Sequence, residues 1–107
     1  MQSEFSYLCR VKKADIVQFL FDHKESFRKD YGVIKLGLFG SVAKGVENPN
    51  DIDLIVEFEP GTKNLFEKKI SLRKKIETKF KLPVDILREQ FIKPYARQLI
   101  LKDAQFI

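Results

Sequence analysis

The stretch GLFGSVAKGVENPNDIDLIVEF, residues 37–58, places Asp51 and Asp53 at the start of an apolar run. Aspartate is among the poorest strand formers, and burying a carboxylate costs free energy unless a partner compensates its charge. Side chains alternate between the two faces of a strand, so the two aspartates share one face while Ile52 and Leu54 point into the core. The pair therefore indicates a functional site.

The elements around this stretch are predicted from hydrophobic spacing and from glycine and proline in turns. The predicted elements are helices over 13–29, 64–81 and 93–104, strands over 33–39, 51–58 and 84–87, and a helical turn over 41–44. The sequence contains no repeat and no interdomain linker. We therefore expect residues 1–107 to form a single domain.

Composition and charge restrict the class of protein. The chain has 107 residues, of which 44% are hydrophobic, and its ten phenylalanines are typical of a globular protein. The net charge of +5 favours anionic partners such as nucleotides, RNA or an acidic protein surface, although a basic surface can also serve solubility alone. The same two interpretations apply to the lysine-rich face of the helix over 64–81.

Cysteine and histidine are too few for a disulfide framework or a zinc cluster. Cys9 and His23 each occur once, and a single free cysteine fits a reducing compartment. The N-terminus lacks the apolar core of a signal peptide, and no apolar run is long enough to span a membrane. We therefore expect a soluble, cytoplasmic protein.

A third carboxylate, Asp85, lies in the predicted strand VDIL and can join the first pair if the two strands are neighbours. Three carboxylates at such distances cannot all stay ionised without a counter-charge. Oxygen ligands without histidine or cysteine point to Mg²⁺ or Mn²⁺, and two such ions can support in-line displacement at phosphorus. Asp51 alone could be a turn residue, whereas Asp53 lies inside the apolar run.

The glycine-serine turn before the aspartates has features of a phosphate-binding loop. Gly40 lets the backbone approach a ligand, the amides after it open a helical turn, and the Ser41 hydroxyl can donate a hydrogen bond. The loop is not of the Walker type, since Val46 and Glu47 follow Gly45, and it lacks the G-x-G-x-x-G pattern. Taken singly, both glycines could also be ordinary turn residues.

Together these residues resemble the nucleotidyltransferase superfamily that includes DNA polymerase beta, in particular its minimal nucleotidyltransferase branch. The motif consists of Gly40-Ser41, Gly45, a variable turn, Asp51-Ile52-Asp53, and Asp85 as the third aspartate. The similarity extends from about Phe19 to the C-terminus. One position departs from the family pattern, because Asn50 stands where serine is common; asparagine can make the same kind of turn contact.

The resemblance implies an α/β (α+β) fold in which helices pack against a small mixed sheet. It also implies that an acceptor hydroxyl attacks the α-phosphorus of a nucleoside triphosphate, with ATP as the expected substrate, and expels pyrophosphate. Asp51 and Asp53 would hold two Mg²⁺ or Mn²⁺ ions, and Asp85 would complete the metal site that activates the acceptor. The expected nucleotide-binding residues are Gly40, Ser41 and Gly45.

Small members of this family commonly occur beside a HEPN-domain protein, an RNA-cleaving toxin, and transfer AMP to a toxin tyrosine. The resemblance therefore implies a protein adenylyltransferase that acts as an antitoxin. The chain has no room for an acceptor domain, so we expect a heteromeric partner or a second copy to supply that surface. The alternatives are an inactive binding module that neutralises its partner by docking, and transfer to a small molecule. Direct nucleic-acid binding is not expected, since no RNA-recognition signature occurs.

Overall fold

A four-stranded mixed sheet forms the centre of the protein, in the spatial order β3-β2-β1-β4. The computed structural model describes residues 11–107. Strand β1 (Val33–Phe39) is antiparallel both to β2 (Ile52–Phe58) and to the short β4 (Gln105–Phe106). Strand β3 (Val84–Arg88) is parallel to β2. This architecture confirms the predicted α/β (α+β) class with a small mixed sheet.

Two long helices supply most of the helical contribution to the core. Helix α1 (Lys13–Tyr31) ends at Gly32, whose φ of 77° is the left-handed conformation that glycine adopts without strain. Helix α3 (Leu65–Phe80) follows β2. The buried cluster combines apolar side chains of both helices with those of the central strands, namely Ile16, Leu20, Phe27, Leu72, Ile76, Phe80, Val33, Leu36, Leu38, Ile52, Leu54, Val56 and Phe58.

Shorter elements complete the fold. Helix α2 (Gly40–Ala43) joins the end of β1 to the loop before β2. After β3 come a 3₁₀ turn (Glu89–Phe91) and helix α4 (Pro94–Lys102), with proline at the start of the helix, where its missing amide costs no hydrogen bond. Within the described part of the chain, no helix combines the length and apolar character that crossing a membrane requires.

The predicted elements are present, and their ends differ from the predicted ones by at most two residues. Asp51 precedes β2 instead of lying inside it, and the 3₁₀ turn and β4 were not predicted. Strand β4 is too short to show a hydrophobic pattern, and its pairing depends on Gly37, where a Cβ would lie 2.7 Å from the Phe106 ring. Cys9, the lone cysteine, lies outside the described residues.

Candidate active site

Strand register brings the predicted aspartates to one end of the sheet. Asp53 pairs with Asp85 across the parallel β2–β3 ladder and with Phe39 across the antiparallel β1–β2 ladder. Asp51 lies two residues before Asp53, at the entry to β2. We call this region, formed by Phe39, Asp51, Asp53 and Asp85, the carboxylate end. Strands β2 and β3 are neighbours, so the condition for the three carboxylates to meet is fulfilled.

The carboxylate end concentrates negative charge. Burial raises the pKa of Asp53 above its ordinary value, and the neighbouring charges of Asp51 and Asp85 raise it further. Asp53 is half-buried, whereas Asp85 is exposed. Among residues 11–107, no side chain forms a salt bridge or hydrogen bond with these three carboxylates. A bound cation would relieve this repulsion.

Gly40 brings the backbone against the Asp53 carboxylate. Its φ of +73° lies in the left-handed region, and a Cβ there would clash with Oδ2 of Asp53 and lie 3.2 Å from Cγ. Any side chain at position 40 would therefore displace the carboxylate. This contact explains physically why α2 begins with a glycine.

The other two predicted loop residues, Ser41 and Gly45, lie within α2 and shortly after it. Half-buried Ser41 is the second residue of α2, and its carbonyl accepts a hydrogen bond of 3.1 Å from the Val46 amide. Gly45 has a φ of +78°, and its amide donates to the Val42 carbonyl at 3.0 Å. No other atom lies within 4 Å of a Cβ built at Gly45. Gly40 thus lies against Asp53, whereas Gly45 belongs to the turn that closes α2.

Lys13 supports this loop, a role that the sequence did not predict. Nζ of Lys13, at the start of α1, donates a hydrogen bond of 2.8 Å to the carbonyl of Ala43, the last residue of α2. A charged donor makes this contact stronger than an ordinary amide hydrogen bond. The two residues are thirty positions apart, and Lys13 looks like any polar residue of an amphipathic helix, so no local signal identified it.

The donor set at the carboxylate end suits a hard divalent cation. All three side chains offer carboxylate oxygens, the ligands that Mg²⁺ and Mn²⁺ prefer. In the described residues, no three His, Cys, Asp or Glu side chains stand ready to hold a metal ion by themselves. Mg²⁺ in nucleotide sites typically takes one or two carboxylates and completes its shell with phosphate oxygens and water. The residues therefore fit a metal that binds together with a nucleotide.

Comparison with known proteins identifies the family. Residues 21–107 match the family described as "Nucleotidyltransferase domain". A Methanocaldococcus jannaschii protein, provisionally named a protein adenylyltransferase, is 30% identical over 96 residues, which cover 88% of this chain and 96% of the relative. The protein adenylyltransferase MntA of Thermococcus cleftensis is 29% identical over 94 residues, which cover 87% of this chain and 93% of the relative.

Solved structures share the fold. One, provisionally described as a minimal nucleotidyltransferase, is 28% identical, superposes with a TM-score of 0.63, and covers 82% of this chain and 92% of its own. A toxin–antitoxin structure with AMP-PNP is 19% identical, with a TM-score of 0.60, and covers 79% of this chain and 69% of its own. The chain belongs to the nucleotidyltransferase domain family and is a nucleotidyltransferase.

Proposed function

We propose that this chain transfers AMP from ATP to a hydroxyl group of a partner protein, as the antitoxin of a HEPN-type RNase toxin. The observation that carries the proposal is the Asp53 carboxylate, which lies near the charges of Asp51 and Asp85 and against the backbone of Gly40. The names of the two relatives, which match over nearly their whole length, support protein as the acceptor class. The toxin–antitoxin structures of the same fold support a toxin as that partner.

The reaction exchanges one bond to phosphorus for another. The acceptor oxygen forms a bond to the α-phosphorus of ATP, the bond from that phosphorus to the bridging oxygen of the β-phosphate breaks, and pyrophosphate leaves. The proton of the acceptor hydroxyl passes to Asp85 or, through it, to solvent. Divalent cations, when bound, supply the positive charge that stabilises the transferring phosphoryl group.

The chain's own residues then act by positioning and by charge. Asp51 and Asp53 would hold Mg²⁺ or Mn²⁺, two ions in total, and Asp85 would complete the site on the acceptor side. Gly40 allows the triphosphate to approach the backbone, Ser41 donates to its β- and γ-phosphates, and Gly45 closes the loop beneath it. Asp85 is the most accessible of the three aspartates, which suits an acceptor hydroxyl that arrives on a protein surface.

A test uses the product of the neighbouring gene as the acceptor. The two proteins are incubated with ATP and Mg²⁺, and the intact mass of each is measured, for the wild type and for Asp53→Asn. We expect one or more AMP units on the neighbour with the wild type and none with the variant. A neighbour that stays unmodified with the wild type as well as with the variant would contradict the proposed transfer.

A second candidate is a binding module that neutralises its partner by docking alone. Large exposed apolar side chains after β3 favour it, among them Tyr95, which is 83% exposed. The Asp53→Asn variant separates the two candidates, because docking should survive the loss of one site carboxylate while transfer should not. For either candidate we propose that residues 1–107 act as one domain in the cytoplasm.

A further inference from the structure

Large apolar side chains are exposed on the segment between β3 and β4. Phe91 is 64% exposed, Tyr95 83% and Leu99 75%. Tyr95 and Leu99 are four residues apart on α4 and therefore share a helix face, whereas the extended residues Ile92 and Lys93 separate Phe91 from that helix. We call Tyr95 and Leu99 the apolar stripe. Isolated exposed apolar residues are common, whereas grouped ones mark interaction surfaces.

The helix that carries the apolar stripe has its C-terminal end beside the proposed nucleotide-binding loop. Asp103 directly follows α4, and its Oδ2 lies 4.0 Å from Nζ of Lys44. Lys44 in turn directly follows α2, the helix that begins with Gly40. The C-terminal end of α4 thus adjoins the loop that contains the predicted phosphate-binding residues. A protein seated on the stripe would lie beside the site.

The charges around the stripe are basic. Lys93 and Lys102, at the two ends of α4, are exposed, and neither forms a salt bridge with any side chain of residues 11–107. The two nearby acids already face cations. Glu89 pairs with Lys35 at 2.6 Å and with Arg97 at 2.9 Å, and Asp103 faces Lys44. The surface therefore offers apolar area with unpaired positive charge.

This charge pattern decides between occupants. A symmetric contact between two copies uses the same patch on both sides, so it would bring lysines against lysines whichever way the two helices ran. A partner with acidic residues around an apolar patch would instead match both features of the surface. We propose that the apolar stripe, together with Lys93 and Lys102, docks the acceptor protein through such a face. This inference rests on the proposed function, because it identifies the docking surface for the same acceptor.

The test measures the affinity of this chain for the product of the neighbouring gene by titration calorimetry. We expect the double variant Tyr95→Ala with Leu99→Ala to bind about tenfold more weakly or worse, since aromatic and large aliphatic anchors dominate interfaces. Phe66→Ala is the matched control, because Phe66 is 75% exposed but lies on α3, and it should bind like the wild type. Reversing both charges with Lys93→Glu and Lys102→Glu should also weaken binding, whereas Lys93→Arg with Lys102→Arg should not.

Four outcomes would overturn the proposed docking surface. Unchanged affinity in the alanine double variant, or no complex with the wild type, would overturn it. Dimerisation of the isolated chain that the same variant abolishes would assign the stripe to a second copy and overturn it as well. Stripe-dependent adsorption to phosphatidylserine vesicles would likewise overturn it in favour of a membrane surface.

The inference and the proposed function fail in different ways. A complex that is lost in the stripe variants but shows no AMP transfer with the wild type would support the docking surface and contradict the proposed chemistry. Normal AMP transfer by the stripe variants would support the chemistry and contradict the docking surface. Nucleotide binding by the stripe variants, measured with AMP-PNP and Mg²⁺, should equal that of the wild type and confirms that the site is intact.

Discussion

The protein contains two carboxylates in opposite electrostatic environments. Asp53, at the carboxylate end, has two other aspartates as its charged neighbours, and burial together with their charges raises its pKa. Glu89, in the 3₁₀ turn after β3, lies between Lys35 and Arg97. The hydrogen bond from Lys35 lowers the pKa of Glu89, against the opposing effect of burial, and Arg97 lowers it further.

The different environments indicate a structural role for Glu89 and a functional role for Asp53. Glu89 joins β1 to α4 through its two cations, and each interaction stabilises the folded state. Asp53 is in the reverse situation, because its ionised form destabilises the fold until a cation arrives. Groups whose pKa is perturbed in this uncompensated way are concentrated at functional sites, and Asp53 is the clearest such group in the described residues.

The largest effect is expected from neutralising these two carboxylates one at a time. Asp53→Asn should lower AMP transfer by about 100-fold or more, since under the proposed function it removes a charge that would hold the metal against the transferring phosphate. Glu89→Gln is the matched control, as it also neutralises one acid but lies away from the carboxylate end. Its initial rate, measured by radiolabel from ATP, should stay within about twofold of the wild type. Equal losses of AMP transfer in both variants would contradict the different roles assigned to the two carboxylates.

The close approach of Gly40 to Asp53 can be tested by substituting a glycine here and one elsewhere. Gly40→Ala forces a Cβ into the Asp53 carboxylate, so the affinity for AMP-PNP with Mg²⁺ should fall by about tenfold or more. Gly61→Ala is the control, since Gly61 has a φ of +84° with no atom near its Cβ position and so incurs only the backbone strain. Calorimetry on both variants separates the clash from the strain, and an unaffected Gly40→Ala would show that the close approach is unimportant.

A smaller effect is expected from the contact that supports the loop. Lys13→Met removes the charged donor to the Ala43 carbonyl while keeping the aliphatic length of the side chain. The KM for ATP should rise about 3- to 10-fold, with kcat changed less, because the proposed phosphate-binding loop would bind substrate in both the ground state and the transition state. Lys29→Met, which alters an exposed lysine of the same helix, should leave both constants unchanged. A change in kcat alone would point to a different role for Lys13.

The smallest effects concern stability, and they should have opposite signs. The raised pKa of Asp53 stabilises the metal-free fold below its unfolded pKa, and this contribution is lost as pH rises through the folded pKa. Asp53→Asn should therefore raise the melting temperature of the metal-free protein at pH 7. The lowered pKa of Glu89 stabilises the fold above its unfolded pKa, so Glu89→Gln should cost about 1 kcal/mol at pH 7 and less in acid. Thermal melts from pH 3 to 8 test both, and shifts of the same sign would contradict the comparison.

The carboxylate end could be predicted from the sequence to a large extent, whereas the region around Glu89 could not. Asp51 and Asp53 stand within one short motif, where two-residue alternation predicts that they share one face, and Asp85 joins them because β3 pairs with β2. Glu89 obtains its partners from β1 and α4, so its environment depends on tertiary structure. The Lys13 contact with Ala43 was not predicted either, because it also depends on tertiary structure. The pairing of β4 was missed because two residues show no periodicity.

The most direct test of the central claim is a calorimetric titration of the purified chain with AMP-PNP, in the presence of Mg²⁺ and then with EDTA. We expect the wild type and Glu89→Gln to bind with Mg²⁺ and to lose most of their affinity with EDTA. Asp53→Asn should bind weakly under both conditions. Tight, metal-dependent binding by Asp53→Asn would contradict the claim that the uncompensated carboxylates form the metal–nucleotide site.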